Sequence, residues 1–540
     1  MRSAYSKLSD LSSITVILII ALILKIPILL NPTWSFSGDE GIVGLMAKHI
    51  LQGSFPIYFY GQAYWGSFEA FIASFFFLIL GVNPFALKLA PLLLFILFII
   101  SQYFLVKMLF DKKTAFLSAL LSASAPSALN MWSSKAGSHI GNLFLGTLFF
   151  FLCLKYTEAN EENKKYYITL LGIYTGFCYW TDEMIFYYII PMFIYLISRY
   201  KFNNVKYFLS NLKTSYLFYF FGFLIGASPV FYYRLFDNSY TITASTLNVS
   251  LGQIALKIPV FFKLFTYMTG YLEKQSFFIQ SLENIYLFLI FVSIAFCFYF
   301  FRKDFKSLFV GSDNTVSKEF IIILQFIFVP IIFILTPVNP DIQLRTRLLL
   351  PIYTSLPVII SIFYFELKKK YKWIAIVTLS IILLSLGIEK YNFYYKEFKL
   401  INRNLSVKHF HDDKEPLINY LKSINLQGGY ASFWLAYEIT FRANESIIIY
   451  PLWGRDKYPQ YFDYVMSLKN PFYIYSIRET YLNSFESMLK KDGVKYFKKQ
   501  IGNYVLFYDL NTKYDHKPLP RNIFVTEFWG DLKTEKAVIN

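Results

Sequence analysis

Gly38-Asp39-Glu40 follows directly on the first long apolar run of the chain, Leu11 to Leu30. A bilayer core of about 30 Å takes about 20 apolar residues per helix, so this run is long enough to span one. Two carboxylates therefore stand where the chain leaves the membrane. Charges in hydrocarbon are costly, and ionisable groups beside a span mark functional candidates. Asp39 and Glu40 are the catalytic candidates. A carboxylate at that depth can take a proton from an acceptor hydroxyl or orient it. The structural alternative is a helix N-cap, with Asp39 opening a helix of about 40–52 that stops at Gly53.

Other groups could bind a substrate. Asp182 and Glu183, in WTDEM, suit sugar hydroxyls or a divalent cation held through oxygen; a solvated turn explains them as well. Lys135 and His139, in WSSKAGSHIGN, are four apart and share a face if that segment is helical. They could neutralise a phosphate, or form a plain surface pair. Arg345 and Arg347, in PDIQLRTRLLLP, carry planar forks that fit a phosphate ester; snorkelling to headgroups is the alternative. Tyr60 and Tyr64, with Tyr58 and Trp65, flank Gly61 and Gln62. Aromatic faces and an amide suit sugar rings, and aromatic residues also anchor chains at membrane interfaces.

The elements that must position these groups follow from composition. The chain has 540 residues, of which 56% are hydrophobic, and windows long enough to span recur up to about residue 390. Beyond that the sequence is mixed. The reading is a polytopic α-helical membrane domain, 1–389, followed by a water-soluble α/β domain, 390–540. The net charge of +17 is not a nucleic-acid signature, because Lys and Arg cluster in short segments between apolar runs, the positive-inside pattern. Cys153, Cys178 and Cys297 all lie in apolar runs and offer neither a disulfide framework nor metal-ligand spacing. The first apolar run lacks a convincing cleavage site and reads as a retained helix.

Eleven spans are expected, at about 11–31, 87–107, 114–131, 141–155, 166–181, 184–199, 215–233, 284–301, 319–336, 348–365 and 373–388. This count puts every basic cluster on one side, with the N-terminus inside and the C-terminal domain outside. The first outer loop, about 32–86, then carries helices that lie at the interface, and counting a helix at about 65–81 as a span would flip every later basic cluster. A long loop is expected over about 234–283. Asp39, Glu40, Lys135, His139, Asp182, Glu183, Arg345 and Arg347 all fall on the outer face. In the C-terminal domain, KEPLINYLKSINLQGG reads as a helix closed by Gly428 and Gly429. YASFWLAYEITF, ESIIIYP and NYVLFYDL read as strands, and ETYLNSFESMLKKDG as a helix.

The order of these features resembles the GT-C-fold glycosyltransferases, the superfamily that includes the protein O-mannosyltransferases and the lipid A aminoarabinose transferases. The likeness is carried by GDEGIVGLMAKHILQGSFPIYFYGQAYWGSFEA in the first loop, then KAGSHIGNLFLGTL, GIYTGFCYWTDEMIFYYIIP, RLLLPIY and GGYASFWLAYEITF. It implies a GT-C fold, with interfacial helices in the first outer loop. It also implies an enzyme that moves a sugar, with inversion, from a polyprenyl-phosphate carrier to a lipid, glycan or protein acceptor at the outer face of the cytoplasmic membrane. Asp39 matches the family's first-loop aspartate, the base or acceptor-orienting group. Glu40 matches the adjacent acidic position, and Arg347 the arginine of an Arg-x-Leu-Leu-Pro segment that contacts the carrier phosphate. Lys135 and His139 stand where better-known members often have an aspartate, and Asp182 where the aminoarabinose transferases have a lysine. No obligatory metal or other cofactor is expected. Two other functions compete: a transporter or flippase of a lipid-linked glycan, which needs charges near the midplane, and a non-catalytic envelope assembly protein.

Overall fold

The computed structural model describes residues 2–34, 36–199, 217–236, 251–273, 275–310, 316–336, 343–398, 414–452, 456–479 and 481–511. The chain divides into two compact units. The first comprises Met1–Leu30, Tyr64–Gly66 and Pro91–Arg403; the second comprises Asn31–Ala63, Ser67–Ala90 and Asn404–Asn540. The first outer loop thus belongs largely with the C-terminal sequence.

The first part of the chain is helical, apart from a short hairpin. Its elements are α1 (Arg2–Leu30), α2 (Gly38–Leu51), the strands β1 (Tyr58–Phe59) and β2 (Gln62–Gly66), α3 (Phe68–Leu80), α4 (Pro84–Leu109), α5 (Lys112–Ala123), α6 (Ser127–Trp132), α7 (Ile140–Thr157), α8 (Glu161–Thr181) and α9 (Phe186–Arg199). There follow α10 (Leu217–Gly226), α11 (Ser228–Phe236), α12 (Leu251–Thr269), α13 (Phe277–Phe300), α14 (Arg302–Val310), α15 (Ile321–Leu335), a 3-10 helix Gln343–Thr354, α16 (Leu356–Lys370) and α17 (Lys372–Phe398). Among the described residues, seven segments are long and apolar enough to cross a membrane: Asp10–Leu30, Pro84–Leu109, Ile140–Thr157, Phe277–Phe300, Lys318–Leu335, Thr346–Lys370 and Lys372–Tyr394. The chain is a multi-pass membrane protein. The other four expected spans coincide with shorter or more polar helices.

Three expectations for this part need correction. The run 114–131 is two helices, not one, because Pro126 lacks an N–H and restarts the chain as the N-cap of α6. The run 215–233 is likewise two helices, α10 and α11, among its described residues. The expected loop of 234–283 contains the 19-residue helix α12, whose apolar periodicity is interrupted by Lys257, Pro259 and Lys263.

In the first unit α8 and α10 approach closely. Each carries glycines four apart, Gly172 and Gly176 on α8, Gly222 and Gly226 on α10. A Cβ on Gly176 would lie 2.3 Å from the Phe223 carbonyl oxygen, and one on Gly226 would lie 2.0 Å from that of Ile173. Small residues at this spacing let backbones touch where no hydrophobic effect drives helices together in lipid.

In the second unit, α18 (Glu415–Ser423), β3 (Gly428–Ala431), α19 (Phe433–Arg442), β4 (Ile448–Pro451), α20 (Pro459–Ser467), β5 (Phe472–Ser476), α21 (Tyr481–Lys491), β6 (Phe497–Ile501) and β7 (Tyr504–Tyr508) form an α/β layer. The sheet order is β4-β3-β5-β7-β6. β3 runs parallel to β4 and β5, while β7 runs antiparallel to β5 and β6. Leu417, Leu421, Leu435, Ile439, Ile449 and Ile474 form its core. Gly428 and Gly429 do not close a helix but begin β3, where a Cβ on Gly429 would lie 2.2 Å from the Phe472 carbonyl oxygen. Most of YASFWLAYEITF is helix α19 and not a strand. Leu435 to Phe441 are all buried, and a continuous buried run does not separate helix from strand by its periodicity. That helix packs on α2: a Cβ on Gly41 would come within 2.5 Å of the Tyr437 carbonyl oxygen.

Candidate functional site

The acidic turn sits in the second unit at the start of α2. Ser37, not Asp39, is the N-cap. The Ser37 hydroxyl accepts from the Glu40 amide at 3.4 Å, and Glu40 Oε2 accepts from the Ser37 amide at 3.3 Å. This reciprocal capping box satisfies two amides that the first turn would otherwise leave open. Asp39 is thereby released from the capping role expected of it. It lies half-buried in the first turn, where the helix dipole favours negative charge.

Glu40 is held differently. Its Oε1 accepts from Lys88 Nζ at 2.5 Å, and the two side chains are 0% and 1% exposed. Lys88 Nζ also lies 5.4 Å from the Phe36 ring centre. A buried carboxylate is tolerable only when paired and hydrogen-bonded, and Glu40 is both. Lys88 was not singled out in the sequence, although a lone lysine in the apolar run NPFALKLAPLLL was the available signal.

Tyr60 is buried and belongs to a polar network at the other end of α2. His49 Nδ1 lies 2.8 Å from Tyr60 Oη, and Nε2 lies 3.1 Å from Glu445 Oε1. Lys48 Nζ lies 2.6 Å from Glu445 Oε2, and Tyr461 donates to Oε1 at 2.6 Å. The Tyr60 and Tyr458 rings are 4.8 Å apart. Burial alone would raise the Glu445 carboxyl, but hydrogen bonds from His49, Lys48 and Tyr461 hold it down at about 2. Asn444 and Glu445 both have left-handed backbones, at φ 53° and 61°. The hairpin carries Gln62 half-buried and Tyr64 exposed on β2.

The first unit holds a second cluster. His139 Nδ1 donates to Asp182 Oδ2 at 2.6 Å. The imidazole stacks on Trp65, with ring centres 4.2 Å apart and planes 11° apart. Trp65 and Asp182 also pair through their backbones in an isolated antiparallel bridge. His139 itself is left-handed, φ 66°, a conformation that residues other than Gly, Asn, Asp and His rarely adopt. Asp182 Oδ1 accepts from the Met184 amide at 2.9 Å and fixes the turn into α9. Because Asp182 takes the Nδ1 proton, Nε2 is the nitrogen left for other chemistry. Glu183 is exposed beside it. Partial burial and then the Asp182 charge raise its carboxyl above the usual range, with Arg234 pulling back.

Lys135 and His139 do not lie on one helix, because α6 ends at Trp132 and α7 begins at Ile140. The loop between them is tied inward. The Ser138 hydroxyl donates to the Trp132 carbonyl at 2.6 Å. Lys25 of α1, buried, donates to the Ser134 hydroxyl at 2.9 Å, to the Asn130 carbonyl at 2.7 Å and to Ser133. Lys135 Nζ sits 5.7 Å from the Trp132 ring centre. The Trp132 indole donates to the Thr346 hydroxyl at 2.8 Å, which ties this loop to the 3-10 helix carrying Arg347. Arg347 is half-buried next to Thr346; the Arg345 side chain lies outside the described residues. His139, Asp182 and Trp65 are thus brought together, with the loop of Lys135 tied to the segment of Arg347.

An apolar groove of about 540 Å³ adjoins this cluster. Leu152, Leu170, Ile173, Phe177, Trp180 and Ile225 line it. Trp180 stands two residues before Asp182, and a Cβ on Gly66 would lie 2.6 Å from its carbonyl oxygen. Among the described residues no group of three or more His, Cys, Asp or Glu is placed to hold a metal ion.

Residues 68–233 match the family described as dolichyl-phosphate-mannose-protein mannosyltransferase. No curated protein gives a significant match. Among solved structures, ArnT from Cupriavidus metallidurans in the apo state superposes with a TM-score of 0.61 at 12% identity, over 93% of this chain and 98% of that one. The same protein bound to undecaprenyl phosphate gives 0.56 at 10% identity, over 92% and 97%. The likeness extends along nearly the whole of both chains, and this chain adopts the GT-C fold of the membrane glycosyltransferases.

Proposed function

We propose that the chain is a membrane glycosyltransferase that moves a sugar from a polyprenyl-phosphate carrier to an acceptor hydroxyl at the outer membrane face. The observation that carries this reading is the apolar groove of the first unit, which reaches Trp180 beside the His139–Asp182–Trp65 cluster. A carrier of this kind is an amphiphile, with an isoprenoid tail and an anionic head. Apolar walls that lead to a polar cluster fit that division. His139 Nε2, Lys135 and Arg347 are the proposed head-group contacts, and a guanidinium gives the fork that a phosphate ester accepts. The match to a mannosyltransferase family and the likeness to a protein crystallised with undecaprenyl phosphate support the same substrate class.

In the transfer the acceptor oxygen attacks the anomeric carbon, the bond from that carbon to the phosphate oxygen breaks, and the carrier phosphate leaves. The acceptor proton goes to a carboxylate. Asp39 is the proposed base or acceptor-orienting group, because the Ser37–Glu40 capping box leaves it no capping duty. Glu40, paired with Lys88, is assigned to holding that turn. The C-terminal domain lies outside in this reading, and the acceptor is a lipid, a glycan or a protein.

The test is transfer from a polyprenyl-phosphate sugar by purified protein. Asp39→Asn should fold and lose transfer. His139→Asn should keep its backbone, since Asn accepts the left-handed conformation, but should bind carrier more weakly. Full activity in Asp39→Asn overturns the role of Asp39, and unchanged carrier affinity in His139→Asn overturns that of His139.

A further inference from the structure

Lys25 is a buried charge of the first unit to which the proposed transfer gives no part. It stands near the C-terminal end of α1 and is 2% exposed. Its ammonium has one acceptor for each of its three protons: the Asn130 carbonyl at 2.7 Å, the Ser134 hydroxyl at 2.9 Å and the Ser133 hydroxyl. The Phe95 ring centre lies 4.7 Å from Nζ. The three acceptors come from the last turn of α6 and the two residues that follow it. Asn130 is held through its side chain as well. Its amide donates to Tyr394 Oη at 2.9 Å, and Tyr394 in turn donates to the Leu24 carbonyl. At the other end of α6 the Ser127 amide donates to Glu389 at 2.9 Å. A cation thus sits at the C-terminus of α6 and a carboxylate at its N-terminus, the arrangement that a helix dipole favours.

Pinning α6 at both ends fixes the loop that leaves it. Lys135 follows Ser134 directly, and its ammonium lies 5.7 Å from the Trp132 ring centre. The Trp132 indole donates to the Thr346 hydroxyl at 2.8 Å, beside Arg347. The Ser138 hydroxyl donates to the Trp132 carbonyl at 2.6 Å, and His139 comes next. Three cations, Lys25, Lys135 and Arg347, are therefore tied to one loop. Asp182, the carboxylate bonded to His139, also accepts from the Met184 amide. Charges of one sign gathered in a poorly solvated place raise the potential there and favour an anion among them. An ionisable group within a span is costly enough to mark a functional candidate.

We propose that Lys25 is a positioning residue for the anionic head of the lipid carrier. It sets the loop of Lys135 and His139 against the segment of Arg347, and its charge adds to the field that selects a phosphate over an uncharged head. Its own protons are spent on the loop, so it acts through Lys135, His139 and Arg347. Its removal therefore weakens head-group binding and leaves the bond-breaking step alone. This inference rests on the carrier reading above.

The experiment measures binding of two probes to full-length protein in nanodiscs: a polyprenyl monophosphate and the uncharged polyprenol of the same chain length. The wild type should prefer the phosphate. Lys25→Met should lose about tenfold or more of its affinity for the phosphate, the worth of one hydrogen bond to a charged group. Its affinity for the polyprenol, and turnover at saturating donor, should stay at the wild-type level. Trp132→Phe keeps the ring beside Lys135 but cannot donate to Thr346, and Ser134→Ala removes one acceptor of Lys25; each should lose part of the same preference. Unchanged phosphate affinity in a folded Lys25→Met overturns the role of Lys25 and leaves the carrier reading standing. An equal fall for both probes does the same, since it reports general loosening. If Lys25→Met does not fold, wild-type phosphate affinity in both Trp132→Phe and Ser134→Ala overturns the proposal. A wild type that binds phosphate and polyprenol equally refutes the carrier reading itself, and this inference with it.

Discussion

Replacing Lys88 with Met removes the cation that faces Glu40 but keeps a side chain of similar length. The carboxylate left behind is 0% exposed. Breaking one half of a buried pair costs about 3–5 kcal/mol, because the surviving charge has neither water nor partner. Loss of the cation over Phe36, 5.4 Å away, adds about 0.5–2 kcal/mol. Glu40→Gln should cost a similar amount for the reciprocal reason, although a Gln carbonyl can still accept from the Ser37 amide. The double variant Glu40→Gln/Lys88→Met contains no uncompensated charge and should return to within about 1 kcal/mol of the wild type. The coupling in this cycle is then about 3 kcal/mol or more. Hydrogen exchange of the α2 amides reads it directly: each single variant should exchange there more than about 100-fold faster, and the double variant close to the wild-type rate. Transfer activity adds a second axis. If Glu40 only holds the turn that carries Asp39, the double variant is active; if Glu40 reacts, the double variant is stable and inactive. A coupling below about 0.5 kcal/mol, within the scatter expected of independent sites, would refute the reasoning from burial.

Two further outcomes follow. The Glu445 carboxyl is depressed from 4.5 to about 2, so its contribution is fully present above the unfolded value and is lost as pH falls from about 4.5 toward 2; acid titration of the second unit, followed by tyrosine fluorescence, should be shallower in that window for Glu445→Gln. At the α8–α10 crossing, Gly176→Val and Gly226→Val should each force the helices apart, since their Cβ atoms would come within 2.3 and 2.0 Å of backbone oxygens; the check is a lower unfolding temperature together with weaker carrier binding, because Gly226 lines the groove.

How much of this was legible depends on the range over which each residue finds its partner. The long apolar helices were readable because about 20 consecutive apolar residues have few other uses. The corrections arose where local signals compete. Ser37 and Glu40 spell the S-x-x-E capping box, yet Asp39 between them is also a good cap, and only the hydrogen bonds separate the two. Gly428 and Gly429 look like a helix stop, but Gly429 serves the close pairing of β3 with β5. Lys135 and His139 have helical spacing, and the left-handed His139 that starts α7 leaves no trace in composition.

The candidate sites were legible in part for a different reason. Glu40 meets Lys88 across 48 residues, and His139 meets Asp182 across 43; no local pattern connects either pair. What one sequence does contain is the demand for a partner. A lone Lys88 in NPFALKLAPLLL, Glu283 in the apolar helix α13, or Glu389 beside Lys390 at the end of an apolar run cannot be buried uncompensated. Each such residue therefore implies a counter-charge, a proton or a bound ion before any coordinates exist. For Lys88 the structure supplies the counter-charge. For Glu283 it supplies the Leu272 amide and a neighbouring serine, Ser385, and for Glu389 the Ser127 amide and the adjacent buried Lys390, so the same rule is met once by a charge pair, once by dipoles and once by both.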